Sequence, residues 1–200
     1  KLALYSDDIA EYRHAKETAG FWTEMKNVHQ AEWTDDLQDR IKVNFDSDTS
    51  VCILDTGVNN GHPLLNPLLS DDDCQTVNPE WGTHAHHRHG TLMAGVAAFG
   101  DLAACLAGQG TVEIKHSLES VKILPLPPQQ TDPDLWGHIT SQGIFRAEIQ
   151  APHRNRIVCM GISSEDTRDQ GRPSSWSGQL DQLASGSQDD IQRLLIVCAG

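Results

Sequence analysis

The stretch VCILDTGVNNGHPLL, residues 51–65, sets four apolar residues directly before Asp55 and a Thr-Gly turn directly after it. A short apolar run bounded by turn-forming residues reads as a buried strand. SVKIL at 120–124, RIVCM at 156–160 and RLLIVCA at 193–199 have the same texture, and helix-compatible stretches at 90–99, 141–149 and 175–185 separate the four. Buried strands alternating with helices predict an α/β fold, a parallel sheet flanked by helices. In such a sheet, sites form beyond the C-terminal ends of strands, which is where Asp55 stands. Thr56 and Gly57 make a tight turn that leaves the carboxylate little freedom, although an Asp there can also do no more than cap the turn.

The bulk properties exclude some partners. Of 200 residues, 38% are apolar, enough for a buried core. A net charge of −13 would be repelled by nucleic acid or an anionic membrane, and tolerates a basic peptide. No apolar run reaches the roughly 18 residues of a membrane span, so the chain is expected to be soluble. It begins at Lys1 without an apolar leader, which a trimmed terminus could have removed. The five cysteines include no C-x-x-C pair, and Cys52, Cys159 and Cys198 sit inside apolar runs. They read as small buried hydrophobes in a reducing, cytoplasmic setting.

Outside the alternating region, residues 8–41 follow a helical period. Phe21, Met25 and Val28 form one stripe, Trp33, Leu37 and Ile41 another, and Gly20 is placed to bend or break the helix. The turn-rich NFDSDTS at 44–50 reads as a linker. We therefore divide the chain into a helical N-terminal segment, 1–45, and an α/β region, 46–200. The connections LSDDDCQTVNPEWGTHAHH and PLPPQQTDPDLWG have a length that is uncommon unless a loop is functional or disordered. There is no internal repeat or low-complexity tract.

The segment HAHHRHGTLMAGVAAFG, from residue 84, carries four histidines in six positions. Read as H-x-H-x-x-H, they suggest zinc and resemble the H-x-H-x-D-H signature of metallo-β-lactamases. Arg88 occupies the Asp position, however, where a guanidinium would repel a cation. No other His or Cys pair lies at ligand spacing, so no metal ligand is assigned. His84, His86 and His87 are expected in a solvated loop. His89 differs because it heads a small-residue helix whose N-terminal dipole favours the neutral imidazole that a general base needs. A core or capping histidine is the plainer alternative. Asp-Thr-Gly by itself also suggests an aspartic protease, which needs two such carboxylates, and the chain contains no second Asp-Thr-Gly.

Taken together, the segments around Asp55 and His89 are similar to the Asp and His segments of the subtilisin-like serine proteases, the subtilases. HGTLMAG matches the family's His-Gly-Thr-x-x-Ala-Gly, and Asp precedes His as in the family. RIVCMGISS resembles the strand and edge that pair with the substrate backbone, and RLLIVCAG the strand leading to the oxyanion asparagine. The resemblance implies a three-layer α/β sandwich and catalytic roles for Asp55, which orients His89, and for His89, the general base toward a serine. It implies a peptide or protein substrate bound along Gly161, Ile162 and Ser163. No cofactor is required. A structural calcium is common in the family, and DSD at 46–48 or DDD at 71–73 could attract one, but no ligand is assigned. Within the family, the free cysteines, the histidine loop and SVKILPLPP look most like large bacterial cytoplasmic members.

The departures matter as much as the matches. In the family an Asn follows the Ala-Gly of the last strand at once, whereas this chain stops at Gly200, and no Gly-Thr-Ser-x-Ala nucleophile segment occurs. We expect a longer parent in which the rest of the catalytic domain supplies Asn and Ser, with the 200 residues inactive alone and the sandwich incomplete. A non-catalytic peptide-binding module and, less simply, a His-rich zinc hydrolase are the competing readings.

Overall fold

Burial in this chain is organised by parallel strands. The computed structural model describes residues 19–45, 48–164 and 171–198. Along the chain come α1 (Gly20–Thr23), α2 (Asn27–Arg40), β1 (Ile41–Val43), β2 (Thr49–Asp55), β3 (Cys74–Thr76), α3 (Arg88–Phe99), α4 (Leu102–Ala107) and β4 (Val112–Ile114). They are followed by β5 (Ser117–Lys122), α5 (Trp136–Gln150), β6 (Asn155–Met160), α6 (Ser175–Ser185) and β7 (Leu194–Val197). Five strands form one sheet in the order β3-β5-β2-β6-β7, and every neighbouring pair is parallel. Strands β1 and β4 make a separate parallel pair.

The central place of β2 follows from its composition, because a strand covered on both faces must be apolar at successive positions. Ile53 packs with Leu118, Val58, Leu68 and Ala94 on one side. Cys52 and Leu54 pack with Val121, Ile144, Val158 and Leu183 on the other. Helix α3 covers the first face, and α5 and α6 the second. This is the α/β fold with a parallel sheet flanked by helices that the alternation predicted.

At the opposite end of the sheet from Asp55, a buried ion network ties strands together. Glu119 of β5 accepts from Arg156 Nε at 2.5 Å and from Arg154 Nη1 at 3.0 Å, and Arg154 also reaches Asp73 at 2.7 Å. The Asp73 and Glu119 side chains are nearly inaccessible. Of the acidic run 71–73, Asp73 is thus engaged with Arg154, and Asp71 accepts from Asn60. The DSD run falls partly outside the described residues.

Several boundaries differ from the sequence expectation. Among the described residues the N-terminal helical pattern breaks after Thr23 and resumes at Asn27, with Gly20 opening the short turn α1, and Ile41 belongs to β1. Its expected portion before residue 19 lies outside the described residues. The linker gives way to β2 already at Thr49, and the first long loop contains the short strand β3. Within the described residues β7 is an edge strand and not a buried one, with Leu194, Ile196 and Val197 exposed. An apolar run reports the affinity of a strand for a neighbour, not how many neighbours it has. Cys198 is accordingly exposed, not buried, whereas Cys52 and Cys74 are buried. Burial pushes the Cys74 thiol up to about 11 and Cys52 well above its ordinary value, so neither is a thiolate nucleophile near neutral pH. All five cysteines are unpaired.

Removing one partner of a buried ion network leaves an uncompensated charge, a loss of about 3–5 kcal/mol. Glu119→Ala is therefore expected to lower the unfolding free energy in urea by about that much. Asp36→Ala, which breaks the exposed pair with Arg40, should change it by about 0.5 kcal/mol or less. Equal effects would contradict the assignment of the network as the main electrostatic tie.

Candidate active site

The site is built where β2 ends and α3 begins. Asp55 is 1% exposed. Its Oδ1 accepts from the Thr56 N–H at 2.7 Å and from Thr56 Oγ1 at 2.9 Å. Its Oδ2 lies 2.7 Å from His89 Nδ1. A carboxylate can only accept, so the proton of this contact sits on Nδ1 and the lone pair of the neutral ring on Nε2. The His89 side chain is 41% exposed, so the ring is open to solvent while Nδ1 is held by Asp55.

The close approach of α3 to β2 explains the small residues. A Cβ at Gly90 would lie 2.4 Å from the Gly57 carbonyl oxygen and 3.2 Å from Asp55 Cβ. Ala94 and Ala98 continue the buried face at helical spacing. Thr91 Oγ1 accepts from the Asn59 N–H at 3.0 Å, fastening the turn after Asp55 to the helix. Gly57 has φ +92°, a conformation L side chains rarely adopt, and Thr83 and Ala85 pack where its side chain would be. Every position in DTG and HGT therefore has a structural task, apart from any chemistry of Asp55 and His89.

Gly161 follows β6 directly and lies beneath the imidazole: a Cβ there would be 3.2 Å from His89 Cε1. Ile162 and Ser163 line a cavity of about 240 Å³ shared with Trp136, Ile139, Thr140 and Trp176. The Trp176 indole N–H donates to Thr140 Oγ1 at 3.0 Å, and the two indole rings lie 5.2 Å apart. Of the three residues expected at the substrate edge, Gly161 thus lies against His89, and Ile162 and Ser163 line one apolar recess.

The other histidines are not a uniform solvated loop. His84 and His87 are both exposed, as expected, and the His87 ring also accepts the His89 backbone N–H at 3.2 Å and caps α3. This is a polar ring doing the work of an N-cap residue, which residue type alone does not announce. The His86 N–H reaches the Thr56 carbonyl at 3.4 Å, and its Nδ1 is buried without a hydrogen-bond partner among the described residues. Burial, aided by Lys122 and His87 and opposed by Asp55, holds His86 below its ordinary value. Among the described residues no group of three or more His, Cys, Asp or Glu is gathered to hold a metal.

The sequence reading passes over Lys122. It is 1% exposed and pairs in register with Asp55, and its ammonium donates to the Trp81 carbonyl at 3.0 Å. A lysine inside the apolar run SVKIL was the available signal.

Overpacking typically destabilises by about 1–3 kcal/mol. Gly90→Ala, which would force α3 off the Gly57 carbonyl, is expected to lose about 2 kcal/mol or more in chemical denaturation. Gly95→Ala in the same helix meets nothing within 4 Å and should gain about 0.5–1 kcal/mol from helix propensity. A harmless Gly90→Ala would refute the close contact.

Comparison with known proteins bears on the whole α/β region. No curated protein and no solved structure gives a match. The family model described as the subtilase family, Peptidase_S8, matches residues 46–200, a span that contains β2 to β7 and both Asp55 and His89. This chain belongs to the subtilase family of serine proteases.

Proposed function

We propose that these residues form the acid–base half of an endopeptidase that hydrolyses peptide bonds through an Asp-His-Ser triad, with Asp55 and His89 as two of its members. The observation that carries the reading is the 2.7 Å contact between His89 Nδ1 and a buried Asp55 carboxylate at a strand's C-terminal end. That contact leaves the Nε2 lone pair to take a proton from a serine hydroxyl as it attacks the scissile carbonyl. The imidazolium formed is stabilised by Asp55 and returns its proton to the leaving amine. The serine belongs to a Gly-Thr-Ser-x-Ala segment that is not among these 200 residues, so we propose that they do not hydrolyse peptides unaided and work with the remainder of the catalytic domain.

The substrate is a peptide or protein. Its backbone runs along Gly161, Ile162 and Ser163, and the recess lined by Ile139, Ile162 and the Trp136 and Trp176 rings takes one of its side chains. An apolar lining favours an apolar side chain there. No cofactor takes part in this chemistry, and the unpaired cysteines support a cytoplasmic setting. Among the described residues no helix is long and apolar enough to cross a membrane.

In the full-length protease, His89→Ala is expected to lower kcat by on the order of 10⁶-fold, the magnitude known from subtilisin itself. His86→Ala should leave peptide cleavage nearly intact, and equal losses in steady-state assays would sink the special role of His89. Across a peptide series differing in one apolar side chain, kcat/KM should rise about 10–200-fold from the smallest to the largest that fits the recess. A flat series would remove the recess from substrate binding.

A further inference from the structure

The contact with Asp55 holds His89 at one atom, Nδ1. A single hydrogen bond there leaves the ring free to tilt, because the terminal torsion of a histidine is broad, and the side chain is 41% exposed. The direction of Nε2 therefore depends on a second contact. The structure provides one at Gly161. The point where a Gly161 Cβ would stand lies 3.2 Å from His89 Cε1, 3.3 Å from Met93 Cε and 3.4 Å from Met93 Cγ. Cε1 is the ring carbon bonded to both nitrogens, so the edge that carries Nε2 and the Met93 thioether border the same spot beside Gly161.

The sequence arranges this in two steps. Met93 stands four residues after His89 on α3, the spacing at which helical side chains share a face. It is partly buried and packs against the core cluster that includes Ile53, Ala94 and Leu118. Gly161, which continues from β6, adds no side chain of its own, so the ring edge and the thioether can close over it. A methionine suits such a place because its unbranched chain adapts to an irregular gap.

We propose that Met93 is a positioning residue for His89: it fills the space beside Gly161 into which the imidazole would otherwise tilt, and so fixes the direction of Nε2. The proposal deepens the triad reading, on which it rests. Transfer of a proton from the serine hydroxyl needs Nε2 within hydrogen-bond reach, and a displacement of about 1 Å can cost on the order of 100-fold in rate. Met93 is not among the residues that line the apolar recess, so its effect falls on the chemical step and not on the binding of the substrate side chain.

The test uses the full-length protease and reads both rate and ring. Met93→Ala should lower kcat by roughly tenfold or more with KM little changed, and Met93→Leu, an apolar side chain of similar volume, should retain most of kcat. Phe99→Leu, at the far end of α3 and packed against the same core cluster, should lower the denaturation midpoint and leave kcat unchanged. In nitrogen-15 histidine NMR, wild-type His89 should give one set of signals with the proton on Nδ1. Met93→Ala should broaden or split that set and speed exchange of the Nδ1 proton with water, and Met93→Leu should not. If Met93→Ala does not fold, Met93→Val, which keeps an apolar side chain at the core but removes the thioether, takes its place. Unchanged kcat or unchanged His89 signals in the folded variant overturn the proposal, and so does an equal loss of kcat in Phe99→Leu. A native protease without activity would sink the triad reading instead, and the His89 signals would still judge Met93.

Discussion

The approach of Gly90 to the Gly57 carbonyl is the constraint on which the rest of the site depends. A strand that ends in a tight turn and a helix that starts nearby can bring two polar side chains to 2.7 Å only if their backbones nearly touch. Absence of a side chain at Gly90, and small ones at Ala94 and Ala98, let α3 lie that close. The same contact explains the positive φ at Gly57, because the loop carrying Thr83 and Ala85 must fit over the turn from the other side. Backbone packing thus brings Asp55 and His89 together, and the Thr56 hydrogen bonds to the Asp55 carboxylate fix its orientation.

The electrostatics of the site are set by the sheet. β2 lies between β5 and β6, so its last residue has Lys122 beside it on one strand, while the chain continuing from β6 brings Gly161 under the His89 ring. Rigid neighbours of this kind hold a site more tightly than loops do. The loop through residues 81–87 is the less regular element, and it is fastened at Trp81 by the buried ammonium, at His86 by Thr56 and at His87 by the first turn of α3.

Much of this was legible in the residues. Four apolar runs became four strands of one parallel sheet, and three helix-compatible stretches became α3, α5 and α6, because burial on both faces of a sheet writes an uninterrupted apolar pattern. What failed did so for a common reason. The run at 193–199 has the pattern of a core strand and is an edge strand within the described residues, nothing in the type of His87 announces a helix cap, and a three-residue strand such as β3 is too short to leave a period. Each depends on what lies across from the residue, which local composition does not record.

By itself the amino-acid sequence determined the α/β class, the place of Asp55 at a strand end and of His89 at the head of a small-residue helix, since these rest on periodicity and on neighbours in the chain. Only the tertiary structure decided that Asp55 and His89 touch, that Gly161 lies under the imidazole, and that Lys122 is buried in register with Asp55. These are contacts between residues 34 or more positions apart. Strand order creates them, and strand order follows from how whole faces are buried together, not from any one segment.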